Sequence, residues 1–332
     1  MNFLVTGVAG FIGSHVAAEL LSRGHSVIGI DNLNDYYAVD LKRMRLERLQ
    51  IYPKFKFFQL DISEPEKLLA LEQRDTIDRV IHLAAQAGVR YSLENPFAYA
   101  ASNLTGHLSL LEFCRHAARK PVLAYASSSS VYGEGLPTPY KEDAPVDHPV
   151  SLYAATKRAD ELMSQSYAKL YGVQQIGMRF FTVYGPWGRP DMAYWTFTER
   201  ILRGKAIRVF NHGQMRRDFT YIDDALNAVL AIAEQPAHFN DPDRPHKIYN
   251  IGHNQPVALL DFIQTIERVT GREALKVFEP MQPGDVFDTC ADISRIQADY
   301  GYQPRTDLQT GLEKFVEWFE VYHAEMHSGY MS

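Results

Sequence analysis

The sequence predicts an α/β fold: a doubly wound parallel sheet with a smaller discontinuous α/β domain attached. Two observations predict it. Apolar runs of strand length alternate with helical patterns over the first 180 residues, and three glycines follow the first of those runs. The 332 residues are 46% hydrophobic and 22% charged, enough to bury a large core and too apolar for a disordered chain.

Residues 2–6 read as a buried strand, 11–23 as a helix and 26–31 as a second strand ending at Asp31. Further strands are expected at 55–60, 78–83, 121–127 and 174–179, separated by intervals long enough for crossover helices. Runs this continuously apolar suit parallel strands, which are covered on both faces. After Arg179, Gly185, Pro186, Gly188 and Pro190 crowd one stretch that cannot continue a regular element. Residues 221–251 read again as helix followed by strand, and 256–325 as mostly helices around a loop at Pro280 to Asp285. The expected division is a first domain of 1–180 and 221–255 and a second of 181–220 and 256–332.

Charge and cysteine usage narrow the function. The 34 basic residues face 40 acidic ones, for a formal charge of -6, and no long cationic run is present, so nucleic acid is not an expected partner. Cys114 and Cys290 lack the spacing of a zinc site or disulfide framework, which fits a reducing, cytoplasmic setting. The first apolar stretch has no basic flank, and no apolar run approaches the roughly 20 residues that span a bilayer, so no membrane association is expected. No histidine pair combines metal-ligand spacing with nearby carboxylates, and no metal is expected.

Gly7, Gly10 and Gly13 lie between the first strand and first helix, where missing side chains let the backbone approach a pyrophosphate. The spacing is G-x-x-G-x-x-G. Asp31 ends the second strand, where a carboxylate accepts hydrogen bonds from an adenosine ribose and repels a 2'-phosphate, so the expected cofactor is NAD rather than NADP. Phe11 and Ile12 in the loop, Asn32 beside Asp31, Asp61 and Ile62 after the third strand, and Leu83, Ala84 and Ala85 after the fourth outline one cleft at the carboxyl ends of the strands.

Tyr153 and Lys157 stand at i and i+4 of a helical pattern, so both side chains share a face. A tyrosine with a pKa of about 10 is a poor base near neutrality, and lowering it by about 3 units takes roughly 4 kcal/mol. One ammonium at about 4 Å and an effective dielectric near 20 supplies about that much. Ser128, in the run from Ser127 to Ser130 just after the fifth strand, offers a hydroxyl to the same cleft.

The glycine loop, the serine run before Val131-Tyr132-Gly133, and Tyr153-Ala154-Ala155-Thr156-Lys157 resemble the extended short-chain dehydrogenase/reductase family over nearly the whole chain. Met178 through Gly185-Pro186-Trp187-Gly188-Arg189-Pro190, with Arg217-Asp218-Phe219-Thr220-Tyr221, resemble its NAD-dependent nucleotide-sugar epimerases, in particular those acting on UDP-glucuronate. The resemblance implies a Rossmann-like cofactor domain and a smaller nucleotide-sugar domain. It makes Tyr153 the base, Lys157 its electrostatic partner and ribose contact, Ser128 the hydroxyl on the reacting sugar oxygen, and Asn103 a neighbour of the cofactor. The implied reaction oxidises carbon 4 to a ketone at the expense of NAD, turns the sugar over, and reduces it on its other face.

A UDP-sugar brings a diphosphate, for which Arg217 is the first candidate and Arg189 the second. Asp285, in Gln282-Pro283-Gly284-Asp285, resembles the acceptor for the uridine ribose. Thr182 stands where neutral-sugar relatives usually have asparagine, and Gln282 where they often have arginine. Thr182, Ser129 and Ser130 offer neutral donors to a uronate carboxylate. Related decarboxylases carry glutamate immediately before Val-Tyr-Gly and related dehydratases carry Asp-Glu, whereas this chain has Ser129-Ser130. Arg90 stays outside the catalytic set. The expected activity is interconversion of UDP-glucuronate and UDP-galacturonate. A neutral-sugar 4-epimerase or a decarboxylase, and a non-catalytic NAD-binding regulator, are the alternatives. Apolar helices near 95–118 and 152–172 match the four-helix contact of dimeric relatives, so a homodimer is expected.

Overall fold

The computed structural model describes residues 1–235, 245–282 and 284–328. Residues 236–244, in the segment expected to run from helix to strand, Pro283 of the loop expected at 280–285, and residues 329–332 lie outside the described residues.

Twelve strands are described: β1 Asn2–Thr6, β2 Ser26–Asp31, β3 Phe55–Gln59, β4 Arg79–His82, β5 Val122–Ser128, β6 Gln175–Phe180, β7 Thr182–Tyr184, β8 Ile207–Val209, β9 Arg216–Tyr221, β10 His246–Ile251, β11 Pro256–Ala258 and β12 Lys276–Phe278. Seven of them form one sheet in the order β10-β6-β5-β4-β1-β2-β3. Every pairing within it is parallel. The strand order reverses between β4 and β1, and a crevice opens there at the carboxyl ends.

Side-chain alternation builds the two faces of this sheet. Phe3 and Val5 of β1 enter one core cluster and Leu4 the other. Helices Phe11–Ser22 and Ile222–Glu234 cover the first face with Val16, Leu20, Ala225 and Val229. Helix Gly106–His116 covers the second with Leu110, Leu111, Phe113 and Cys114. Helix Leu152–Tyr171 begins at Ser151, whose Oγ accepts the Ala154 amide at 3.1 Å, and ends at Gly172 in the left-handed region. That start places Tyr153 in its first turn.

After β6 the chain leaves the main sheet, and β10 returns to it by pairing with β6. Short strands outside the sheet pair among themselves, β7 with β9, β9 with β11, and β8 with β12. β11 and β12 fall in the stretch read from the sequence as mostly helical. With three residues each, they carry no measurable alternation.

Candidate active site

One cleft of about 430 Å³ crosses the carboxyl ends of the main sheet. It brings together Gly7, Gly10, Phe11, Ile12 and Gly13, then Asp31 and Asn32, then Ile62, Leu83, Ala84 and Ala85. Ser128, Ser129, Ser130, Tyr153 and Lys157 line it farther along, followed by Thr182, Arg189, Arg217 and Asp285. Two expected contacts lie elsewhere. Asp61 sits in an adjoining depression, its carboxylate accepting Asn32 Nδ2 at 2.8 Å and the Ser63 amide at 2.8 Å. Asn103 is buried behind the wall, accepting the Gln86 amide at 2.8 Å and donating to Thr156 Oγ1 at 3.0 Å. It ties the segment after β4 to the helix carrying Tyr153.

The glycine loop is closed by backbone contacts that tolerate no side chain. A Cβ on Gly7, whose φ is +69°, would lie 2.7 Å from the Ala84 nitrogen, and one on Gly13 would lie 2.1 Å from the Gly7 carbonyl oxygen. The helix that follows is capped by Gly10 without any side-chain bond, so its first-turn amides face the cleft as an anion cradle. Asp31 is positioned by two amides, Oδ2 accepting Ala9 N at 3.1 Å and Oδ1 accepting Leu33 N at 2.9 Å. Burial raises its pKa, and those two bonds work against the rise. Further lone pairs stay available for ribose hydroxyls. Cradle and acceptor together fit a dinucleotide with a free 2'-hydroxyl.

At the reaction centre Lys157 is 3% exposed, donating to the Ala126 carbonyl at 2.9 Å and to Asp160 Oδ2 at 3.1 Å. The third proton of the ammonium is left for the cleft. Ser128 Oγ accepts both the amide and the hydroxyl of Ser130, at 3.2 and 3.0 Å, so its own proton is free to donate. The Tyr153 ring meets Tyr99 edge to face at 6.1 Å, and the Tyr99 hydroxyl bonds the Ala87 and Gly88 carbonyls of the opposite wall.

On the far side, Arg217 lines the cleft with its guanidinium donating to the carbonyls of Arg216 at 2.9 Å and Phe287 at 3.2 Å. Arg189 is already held by Asp191, which also accepts the Tyr36 hydroxyl at 3.2 Å. Sequence reasoning missed Tyr36, Lys42, Tyr140 and Thr289 in the lining. It also missed Arg45, fully buried, which donates to Ala9 O at 3.0 Å, Trp187 O at 2.7 Å and Gly188 O at 2.7 Å. That guanidinium ties the glycine loop to the loop carrying Arg189. Its signal was present: Leu41, Arg45 and Leu49 are spaced i, i+4, i+8, one buried stripe of helix Val39–Gln50. Among the described residues no three His, Cys, Asp or Glu side chains are placed to hold a metal, and no helix is long and apolar enough to cross a membrane.

The model of the NAD dependent epimerase/dehydratase family matches residues 3–252. UDP-glucuronate 4-epimerase 4 of Arabidopsis thaliana is 47% identical over 98% of this chain and 76% of its own length. The solved UDP-glucuronic acid 4-epimerase from Bacillus cereus, in complex with UDP-glucuronic acid and NAD, superposes with a TM-score of 0.89 at 35% identity, covering 97% of this chain and 100% of that one. A UDP-glucose 4-epimerase from Thermotoga maritima with UDP-glucose is also similar, at a TM-score of 0.85 and 30% identity over 97% of this chain and 100% of that one. Fold alone does not choose between acidic and neutral sugars; side chains do.

Proposed function

The chain belongs to the NAD dependent epimerase/dehydratase family, and from that premise we propose that it interconverts UDP-glucuronate and UDP-galacturonate by inverting carbon 4 through a 4-keto sugar. The observation that carries this reading is the cleft wall shared with Tyr153, where Ser129, Ser130 and Thr182 stand beside Ser128 and no acidic side chain occupies 129 or 130. A 4-keto uronate is a β-keto acid, which keeps its carboxylate only while that group stays solvated by donors. Neutral hydroxyls do this and can exchange partners as the sugar turns. A glutamate or aspartate at 129 or 130 would repel the carboxylate.

When bound, NAD supplies reversible two-electron chemistry at carbon 4, and the glycine loop, Asp31 and the segment of Leu83, Ala84 and Ala85 are the residues that would hold it. Tyr153 takes the proton of the carbon-4 hydroxyl and returns it after rotation. Lys157, fixed by Ala126 and Asp160, favours the phenolate form. Ser128 donates its free proton to the carbon-4 oxygen. Arg217 grips the diphosphate and Asp285 the uridine ribose, whereas Arg189 reaches the diphosphate only by loosening its pair with Asp191. Residues 1–180 and 221–255 thus serve the cofactor, and 181–220 and 256–332 the nucleotide sugar.

The enzyme works in a reducing cytoplasm, which suits two free, buried cysteines. It pairs with a second copy through the helices around 95–118 and 152–172, where Phe97, Leu108 and Leu162 stand exposed, Phe97 at 83%. Sedimentation at monomer mass would overturn the dimer.

Purified protein incubated with UDP-glucuronate, without added NAD, should yield UDP-galacturonate. A mainly UDP-pentose product would make it a decarboxylase, and activity confined to UDP-glucose would remove the role given to Thr182. Tyr153→Phe should lower kcat about 10²–10⁴-fold, the usual worth of a positioned proton-transfer group.

A further inference from the structure

Behind Lys157 lies a carboxylate that the mechanism does not use. Asp160 is 1% exposed and one turn along the same helix, with Oδ2 3.1 Å from the ammonium. Its other oxygen, Oδ1, is buried without a hydrogen-bond partner. Burial, with a lesser contribution from Glu161, raises the Asp160 pKa, and burial above all keeps Tyr125 on β5 protonated. Glu161 is matched by Arg179, at 2.8 and 2.9 Å, and by Arg158 at 3.2 Å. His82 on β4 and His107 on the helix Gly106–His116 are pushed to low pKa by burial, reinforced for His82 by Lys157 and for His107 by His82 and Lys157, so both stay neutral.

A lysine acting alone would lend its full charge to the phenol, as the estimate of about 4 kcal/mol assumes. A carboxylate at hydrogen-bond distance opposes it. We propose that Asp160 is a positioning residue that fixes Lys157 in the cleft wall and cancels part of its charge, so that the ionisation of Tyr153 is set by the Lys157–Asp160 pair. The inference rests on Tyr153 being the base. Two consequences separate it from a merely structural role. Neutralising Asp160 makes the phenol more acidic. Protonation of Asp160 also opposes protonation of Tyr153, which spreads the titration over a wider pH range than one isolated group would show.

The test compares the NAD-bound wild-type enzyme with Asp160→Asn, which keeps an acceptor for the ammonium, Asp160→Ser, which is smaller and also neutral, and Asp160→Glu, which keeps the charge. The rate of UDP-glucuronate conversion is followed against pH. In parallel, ultraviolet tyrosinate absorbance is titrated and referenced to the Tyr153→Phe protein. The wild-type acid limb should have a slope below one. In Asp160→Asn or Asp160→Ser it should move about half a unit to one unit toward lower pH and steepen to one, and Asp160→Glu should restore the wild-type limb. Either neutral variant is sufficient if the other fails to fold. Limbs that coincide in all proteins, or a move to higher pH, overturn the proposal. If the wild type makes no UDP-galacturonate, the reading of the reaction fails, and the absorbance titration still decides the coupling of Asp160 to Tyr153.

Discussion

Two carboxylates adjacent in sequence on the helix Leu152–Tyr171 are treated in opposite ways. Glu161 faces the sheet, where Arg179 grips both its oxygens and the Ser127 hydroxyl adds a third bond at 2.6 Å. Asp160 faces Lys157 from behind the cleft wall, with one cation on one oxygen and nothing on the other. Both are 1% exposed, so burial is equal and partners make the difference. Arg179 and the Ser127 hydroxyl more than offset the effect of burial on Glu161 and lower its pKa, while burial dominates at Asp160 and raises its pKa to about 6. The satisfied pair is a clamp between helix and sheet. The unsatisfied one is a cost carried beside the reacting groups, where a tunable charge has a use.

The largest effect expected from this contrast is on the clamp. Arg179→Met should lower the unfolding free energy by about 3–5 kcal/mol, because it strands a buried carboxylate. Urea unfolding with saturating NAD on both proteins measures it. The loss should be greatest near neutrality and shrink in acid, where the stranded Glu161 can take a proton. A cost below about 1 kcal/mol would mean that Arg158 and Ser127 already satisfy Glu161, and the clamp would lose its place in the comparison.

Asp160→Asn should act with the opposite sign. The folded pKa of Asp160, about 6, lies above its ordinary 3.8. The folded chain therefore keeps a proton that the unfolded chain releases between those values, and the stability this gives is full below about pH 4 and lost as pH rises through 6. The asparagine variant escapes that loss. Measured against wild type, it should gain stability between about pH 4 and pH 8 by on the order of 1–2 kcal/mol, whatever offset the lost partner of Lys157 adds at both. A variant less stable at pH 8 than at pH 4, relative to wild type, would show Asp160 to be as well paired as Glu161.

The same contrast explains what could be read from the chain. Gly7, Gly10, Gly13 and Asp31 are fixed by the order of strand, tight turn, helix and strand end, and Tyr153 with Lys157 by helical spacing; these are local relations that the sequence carries directly. Asp160 is equally local, yet its role depends on Arg179 lying under Glu161 and not under it, a fact of packing between β6 and the helix. Arg45 sat in a legible stripe with Leu41 and Leu49, but a buried guanidinium satisfied by the Trp187 and Gly188 carbonyls needs partners about 140 residues away. Asn103 and Asp61 lie in the expected segments. Whether a side chain turns into the cleft or behind it is decided by neighbours such as Gln86, Thr156 and Ser63.

The smallest effect belongs to a third pair, at the cleft mouth. Arg90 approaches Asp285 at 3.4 Å with its side chain 57% exposed, and lies 5.0 Å over the Phe210 ring. Water screens this pair, as it cannot screen the two buried ones, and a solvated pair is worth about 0–1 kcal/mol. Arg90→Ala should therefore change stability by less than about 0.5 kcal/mol and KM for UDP-glucuronate by less than about threefold, with kcat kept. Salt should erase what remains of the difference, since mobile ions reach an exposed pair and not a buried one. A tenfold rise in KM that persists in high salt would place Arg90 directly on the bound nucleotide sugar, and exposure would then be a poor guide to which charges at this site matter.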